Sequence, residues 1–409
     1  MIREKYSIKK NETSLNIVQG KVEAVRSKNI QKTAVRLYDK GKISVSGGFG
    51  NVDEEMLTRQ AEEDFGMNIA YSPEPEKEHI EKREASADIE DPQELFQESE
   101  TLLAELRRQQ PDFSFSNKIS MNKIDHSLQN DSGLDLRDKQ TILAFDLLIK
   151  EKKSANIMDA FSSYSGMKYD RQEFLRLTNM ICDAYKITLE LKSGEYPVVF
   201  LEADITYKTK MLRDLHGLLL ASGGSYFSDK IGQKIFNENF TVYQTRNPED
   251  GVYKPFFDLE GVSNPDERFS LIENGVIKNG YMSKLYAEQF KMAKTGSAGG
   301  EFDAVPNIGI PTLSIKPSGK TVKEILNGMP GLLVILAFGG DFTPEGSFGT
   351  PVQLAYQFDG ENFIGRVPEF KLSGHINKMF GEGFMGVSID SITSLEPVRT
   401  IVMKMQVDL

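Results

Sequence analysis

From Phe113 to Ser163 the side chains alternate in character as they do along antiparallel β-strands, and two polar turns punctuate the run. The turns are Asn130-Asp-Ser-Gly133 and Glu151-Lys-Lys-Ser154. Alternation sends successive side chains to opposite faces of a sheet, so a stretch of this length commits the chain to an antiparallel sheet with one buried face. The N-terminus reads the same way, as a meander. Thr13–Val18 and Lys21–Arg26 are short strands around Gln19-Gly20, and Thr33–Tyr38 and Ile43–Ser46 flank Asp39-Lys-Gly-Lys42. Gly41 supplies the positive φ that such a hairpin needs.

Helix signals interrupt the strands. Asp53 is a capping residue followed by Glu54 and Glu55, which favour a helix N-terminus. Asp91-Pro92-Gln93-Glu94 opens a second helix, and Leu95, Ser99, Leu102, Leu103 and Leu106 follow on one face. Asp170-Arg-Gln-Glu173 opens a third through Phe174, Leu177, Ile181 and Tyr185. The polar stretch Ser72–Asp91 holds the densest charge run, Glu74 to Glu90, which reads as a solvated loop.

At 409 residues the chain is too long for one typical core. A linker near Lys192-Ser-Gly-Glu195 divides it into an N-terminal domain, 1–190, and a C-terminal domain, 191–409. Past the linker, Tyr196–Leu201 is an apolar strand and Thr206–Ser222 reads as a helix with Met211, Leu212, Leu215, Leu218 and Leu219 on one face. Ile272-Glu-Asn-Gly275 and Phe358-Asp-Gly360 are hairpin signals, and Val352, Leu354, Tyr356 and Phe358 alternate before the second. Thr321-Val-Lys-Glu324 caps a short helix that Gly328 stops. The expected fold is α+β: an N-terminal α/β domain with antiparallel strands and helices, and a β-rich C-terminal domain.

Composition excludes several functions. No apolar run approaches the roughly 18 residues of a membrane span, and the N-terminus lacks a signal peptide's apolar stretch. The lone cysteine, Cys182, cannot form an internal disulfide. These features favour the cytoplasm. A net charge of −11 argues against direct contact with nucleic acid.

Motifs for catalysis are sparse. Gly47-Gly-Phe-Gly50 lacks dinucleotide spacing, and Gly346-Ser347-Phe348-Gly349 is not a nucleophile elbow. Of the four histidines, His79 falls in the charged loop, His126 at a strand edge, His216 beside the apolar helix face and His375 in a loop. Zinc needs three or four converging ligands, and no pair here has ligand spacing. The residues themselves therefore point to no catalytic set, no metal site and no cofactor.

Several segments taken in order resemble the TldD/PmbA family. Thr13–Ser27 and Thr33–Lys42 are similar to the family's opening hairpins. Asp258-Leu-Glu-Gly261 followed by Leu271–Tyr281 is similar to its most recognisable segment, and Phe338-Gly-Gly-Asp-Phe342 to its glycine–aspartate–phenylalanine turn. The resemblance implies a dimer enclosing a peptide-accepting cavity. In the metal-bearing branch it implies His-Glu-x-x-x-His on a helix of the second domain, with a C-terminal cysteine completing a zinc site. This chain departs at each place. Gly217 follows His216 where a Glu is required, Leu218–Ala221 hold no histidine, and no cysteine follows Cys182.

The resemblance is thus to the metal-free, TldE/PmbA-type branch. It implies a non-catalytic subunit of a peptide-processing complex, as a homodimer or as a heterodimer with a metal-bearing TldD-like paralogue. Its ligand would be extended or unfolded peptide. Candidate substrate-binding residues are His216, Gly339, Gly340, Asp341 and Phe342. Two alternatives stand beside this: a peptidase using His216, Asp214 and Glu369, and a protein-binding regulator linked to DNA gyrase.

Overall fold

A computed structural model describes residues 1–392 and 398–409. The first sheet contains β1 (Ile2–Val18), β2 (Lys21–Asp39), β3 (Lys42–Phe49), β4 (Ile69–Ala70), β5 (Ile80–Ala85), β6 (Phe113–Asn130), β7 (Asp135–Glu151) and β8 (Ala160–Gly166). Their order is β4-β3-β2-β1-β6-β7-β5, and β8 also pairs with β7. The opening strands are far longer than the short ones expected. β1 and β2 pair from Ile2↔Tyr38 to Val18↔Lys21, with one bulge at Asn16/Ile17. Lys9–Glu12 and Ser27–Asn29, outside the expected strands, look like loop in sequence because they are polar. Ladder hydrogen bonds belong to the backbone, so a strand can continue where its side chains meet water.

The charge run is likewise more ordered than a solvated loop. β5 within it pairs in parallel with Asp135–Gln140 of β7. Lys82 lies 2.6 Å from Asp135, and Lys139 pairs with Glu84. Charged cross-strand pairs suit a sheet edge.

Three helices cover this sheet where their caps predict. Asp53 accepts the Glu55 N–H ahead of α1 (Glu54–Asp64). Asp91 accepts those of Gln93 and Glu94 ahead of α2 (Pro92–Gln109). Asp170 does the same for Gln172 and Glu173 ahead of α3 (Arg171–Tyr185). Leu95, Leu102, Leu103 and Leu106 are wholly buried against Phe115, Phe145 and Phe174, and this core continues to Leu333, Tyr356 and Val402 beyond the linker.

The second large sheet starts with β9 (Gly194–Leu201). A small sheet follows: β10 (Val242–Thr245), β11 (Arg268–Glu273), β12 (Val276–Ile277) and, further on, β15 (Thr312–Ile315), with the pair β13 (Ala298–Gly299) and β14 (Asn307–Ile308) between. The large sheet resumes with β16 (Gly331–Leu336), β17 (Asp341–Phe342), β18 (Ser347–Val352), β19 (Leu354–Phe358), β20 (Phe363–Arg366), β21 (Phe370–His375), β22 (Phe384–Ser391) and β23 (Arg399–Asp408). Its order is β17-β18-β21-β23-β9-β16-β19-β20, with β22 also on β23. β9 is apolar because it lies inside the sheet, between β23 and β16. The architecture is the expected α+β arrangement.

One predicted helix is broken. Thr206–Ser222 forms α4 (Thr209–Asp214) and α5 (Gly217–Ala221), and His216 between them has φ −64° and ψ 115°. The Gly217 N–H donates to Tyr281 O at 3.0 Å and the Tyr281 N–H to Leu215 O at 2.9 Å. These strand-like bonds replace the helical ones that the sequence periodicity suggested. Among the described residues no helix is long and apolar enough to cross a membrane.

Candidate functional site

α4 lies beneath the edge strand β17 and ties the glycine-rich turn to the helix break. At its start, Thr209 Oγ1 donates to Asp341 Oδ1 at 3.2 Å. One residue on, Lys210 Nζ donates to Pro344 O at 2.9 Å and stands 2.7 Å from Asp214 Oδ2. Both side chains of that pair are buried, at 3% and 2% exposure. Asp214 also accepts the Tyr226 N–H at 3.2 Å. Lys210 and Asp214 stand one turn apart, a spacing legible in the sequence but not singled out there.

Gly339 has φ +94°, and a Cβ on Gly340 would stand 2.2 Å from Gly349 O. One glycine thus makes the turn and the other lets β17 close on β18. Asp341 is exposed and also accepts its neighbour Phe342 N–H, whereas Phe342 is buried against Phe348, ring centroids 4.6 Å apart.

His216, at the far end of α4, faces Tyr281 edge-on at 5.2 Å. Its Nδ1 is buried with no hydrogen-bond partner, and burial holds its pKa below the usual histidine value. The structure therefore joins Asp341 to α4 but sets His216 apart, on the Tyr281 side. At Gly217 next to it a Cβ would fall 2.3 Å from Met282 Sδ, so any side chain there would have to displace that thioether.

The sequence profile of the PmbA/TldA metallopeptidase C-terminal domain matches residues 193–406. This chain belongs to the TldD/PmbA family. Its fold is that of TldE from Thermococcus kodakarensis, with a TM-score of 0.78, 17% identity, and coverage of 100% of this chain and 97% of that one. A candidate modulator of a DNA gyrase from Thermotoga maritima superposes with a TM-score of 0.76 at 16% identity, over 99% and 96% of the two chains. An uncharacterized protein of Methanocaldococcus jannaschii is 23% identical over 274 residues, which is 62% of this chain and 60% of that protein. A metalloprotease of the same organism is 28% identical over 162 residues, 39% of this chain and 35% of its own length. The chain thus spans 60% and 35% of these two curated relatives.

Set against the TldD/PmbA metal motif, the donors here do not fit zinc. His216 is followed by the Met282-packed Gly217 and then by Leu218, Leu219, Leu220 and Ala221. Among the described residues no three His, Cys, Asp or Glu side chains converge as a metal-binding group. Nor do His216, Asp214 and Glu369 form a reacting set. Asp214 is committed to Lys210 and Tyr226, and Glu369 is exposed on the connection to β21.

The other histidines hold structural posts. His126 sits inside the sheet, β6 lying between β1 and β7, and not at an edge. Its Nδ1 lies 3.2 Å from the Tyr6 hydroxyl, and burial pulls its pKa down to about 4. His375 caps the short helix Ile376–Met379 by accepting the Asn377 N–H, where a loop was expected. His79 is half-buried, its Nε2 3.1 Å from Glu81.

The family's Asp258–Gly261 segment forms a buried polar centre. Asp258 accepts the N–H groups of Glu260, Val262 and Ala298 at 2.8–2.9 Å. Glu260 accepts the Tyr71 hydroxyl at 2.5 Å and the Lys284 N–H at 2.7 Å. Wholly buried Arg36 reaches Leu259 O and stands 3.3 Å from Glu4 Oε1. Lys284 Nζ holds Glu74 O and Glu76, so the start of the charge run straps the two halves together.

Proposed function

We propose that this chain is a metal-free, TldE-like subunit of a peptide-processing complex, working beside a metal-bearing TldD-like partner. It supplies cavity wall and exposed sheet edge, and the partner supplies the metal-activated water. The observation that carries this reading is the Gly217–Met282 contact. Gly217 stands where the metal-bearing branch carries its general-base Glu, and a Cβ there would fall 2.3 Å from Met282 Sδ, so a longer residue would have to displace that thioether.

The peptide-facing side is the β17 edge. β17 ends the large sheet, and Asp341 stands exposed on it, held in place by Thr209 of α4. Edge strands take up extended peptides through backbone hydrogen bonds, which suits a subunit that selects by shape and length.

Elemental analysis after dialysis without chelator tests the metal-free assignment. The expected result is zinc far below one per chain. About one zinc per chain, lost on His216→Ala, would contradict it.

A further inference from the structure

β3 covers only the far half of β2. Their ladder runs from Lys32↔Phe49 to Asp39↔Lys42. Lys21–Gln31 therefore pairs with β1 on one side and meets no strand on the other among the described residues. The register says which groups face outward. The Gln31 carbonyl accepts the Gly50 N–H at 2.9 Å from that open side. Main-chain groups alternate in direction along a strand, so Asn29, Ser27 and Val25 turn their N–H and C=O the same way. Nearer the turn the bulge at Asn16/Ile17 resets the phase. There the Val22 N–H points outward and is capped by Glu100 Oε1 of α2 at 2.9 Å. Glu100 thus closes one end of the edge and Gly50 the other. Residues 25–29 between them are all exposed.

The charge of this edge runs against that of the molecule. Residues 21–32 carry Lys21, Arg26, Lys28 and Lys32 against the single acid Glu23, in a chain of net charge −11. Glu23 is held by Asn16 Nδ2 at 3.0 Å. Glu12, across the ladder from Lys28, is engaged by Lys118 at 2.5 Å and Lys10 at 3.3 Å. Arg26 and Lys28 share one face of the strand and flank Ser27.

We propose that the open edge of β2, from Val25 to Asn29, takes up an extended acidic peptide segment as an added strand, with Arg26 and Lys28 selecting its carboxylates. A second copy of the chain fits this edge poorly. Two-fold antiparallel pairing centred on Ser27 would set Arg26 opposite the copy's Lys28, twice, and like charges directly opposed are unfavourable. The same charges that repel a copy attract an acidic strand. This surface lies on the first sheet, apart from the β17 edge, and does not depend on the reading of that site.

The test is fluorescence anisotropy with the full chain and a labelled heptapeptide alternating glutamate with valine or threonine. Binding is expected at a Kd of roughly tens of micromolar in low salt, weakening as salt screens the charges. Ser27→Pro removes an outward N–H at an edge position that tolerates proline, and should weaken binding at least about tenfold. Arg26→Glu with Lys28→Glu should weaken it similarly and create binding to the matching lysine peptide. An N-methylated peptide should fail on the unaltered chain, which keeps the test decisive if Ser27→Pro lowers the unfolding temperature. Three results would overturn the proposal: no binding at millimolar peptide, binding indifferent to Ser27→Pro and N-methylation, or sedimentation showing self-association that Ser27→Pro abolishes.

Discussion

The Tyr71 hydroxyl donates to the Glu260 carboxylate across 2.5 Å, joining the stretch after the first helix to the family's signature segment beyond the linker. Glu260 is 3% exposed, and burial, aided by the charge of Asp258, raises its pKa while the Tyr71 bond opposes the rise.

Tyr71→Phe removes one of the donors to this buried carboxylate and should destabilise the chain by about 1–3 kcal/mol. The sign of its pH dependence follows from linkage. A carboxylate with a raised folded-state pKa binds protons more readily when folded, so its contribution falls as pH rises through that pKa. Losing Tyr71 worsens the charged form further. Urea denaturation at about pH 5 and about pH 8 should show the larger deficit of Tyr71→Phe at the higher pH.

His126 provides a dependence of opposite sign. With its folded-state pKa lowered to about 4 by burial, the ring takes up a proton more readily in the unfolded chain. Its contribution is intact above the unfolded pKa of about 6.5 and is lost as pH falls towards the folded value. Between about pH 7 and pH 4.5 the native chain should lose roughly 1–2 kcal/mol more than His126→Gln, read by denaturation at each pH.

Much of this architecture is legible in the sequence because capping and turn chemistry are local. Asp53, Asp91, Asp170 and Thr321 each cap the helix they precede, the last in a full capping box with Glu324. Asn274 and Gly275 adopt the positive φ of the hairpin they mark. What local patterns miss is set by partners distant in sequence. The polar middles of β1 and β2 are strands because each pairs with the other, and β5 is a strand because β7 lies beside it. The break at His216 depends on Tyr281, and the closure of Gly217 on Met282. The departure from the family's metal motif at 216–221 is readable from letters; the contact between Gly217 and Met282 is not.

Gly217→Ala tests that packing. A Cβ 2.3 Å from Met282 Sδ forces the thioether aside, and overpacking of this kind costs about 1–3 kcal/mol. Met282→Ala in the same chain opens the space, so the double variant should be less destabilised than the sum of the two single ones. Additive losses in a double-mutant cycle would show that the contact is not tight.

The most direct measurement of the central claim is cleavage of an unfolded peptide by this chain alone, by a metal-bearing TldD-like paralogue, and by their mixture, with and without chelator. No cleavage above background is expected from this chain alone. Chelator-sensitive activity should appear or rise sharply in the mixture. His216→Ala should leave the mixture's turnover nearly unchanged, while Asp341→Ala, which frees Thr209, should weaken apparent peptide affinity. Chelator-insensitive cleavage by this chain alone, abolished by His216→Ala, would contradict it.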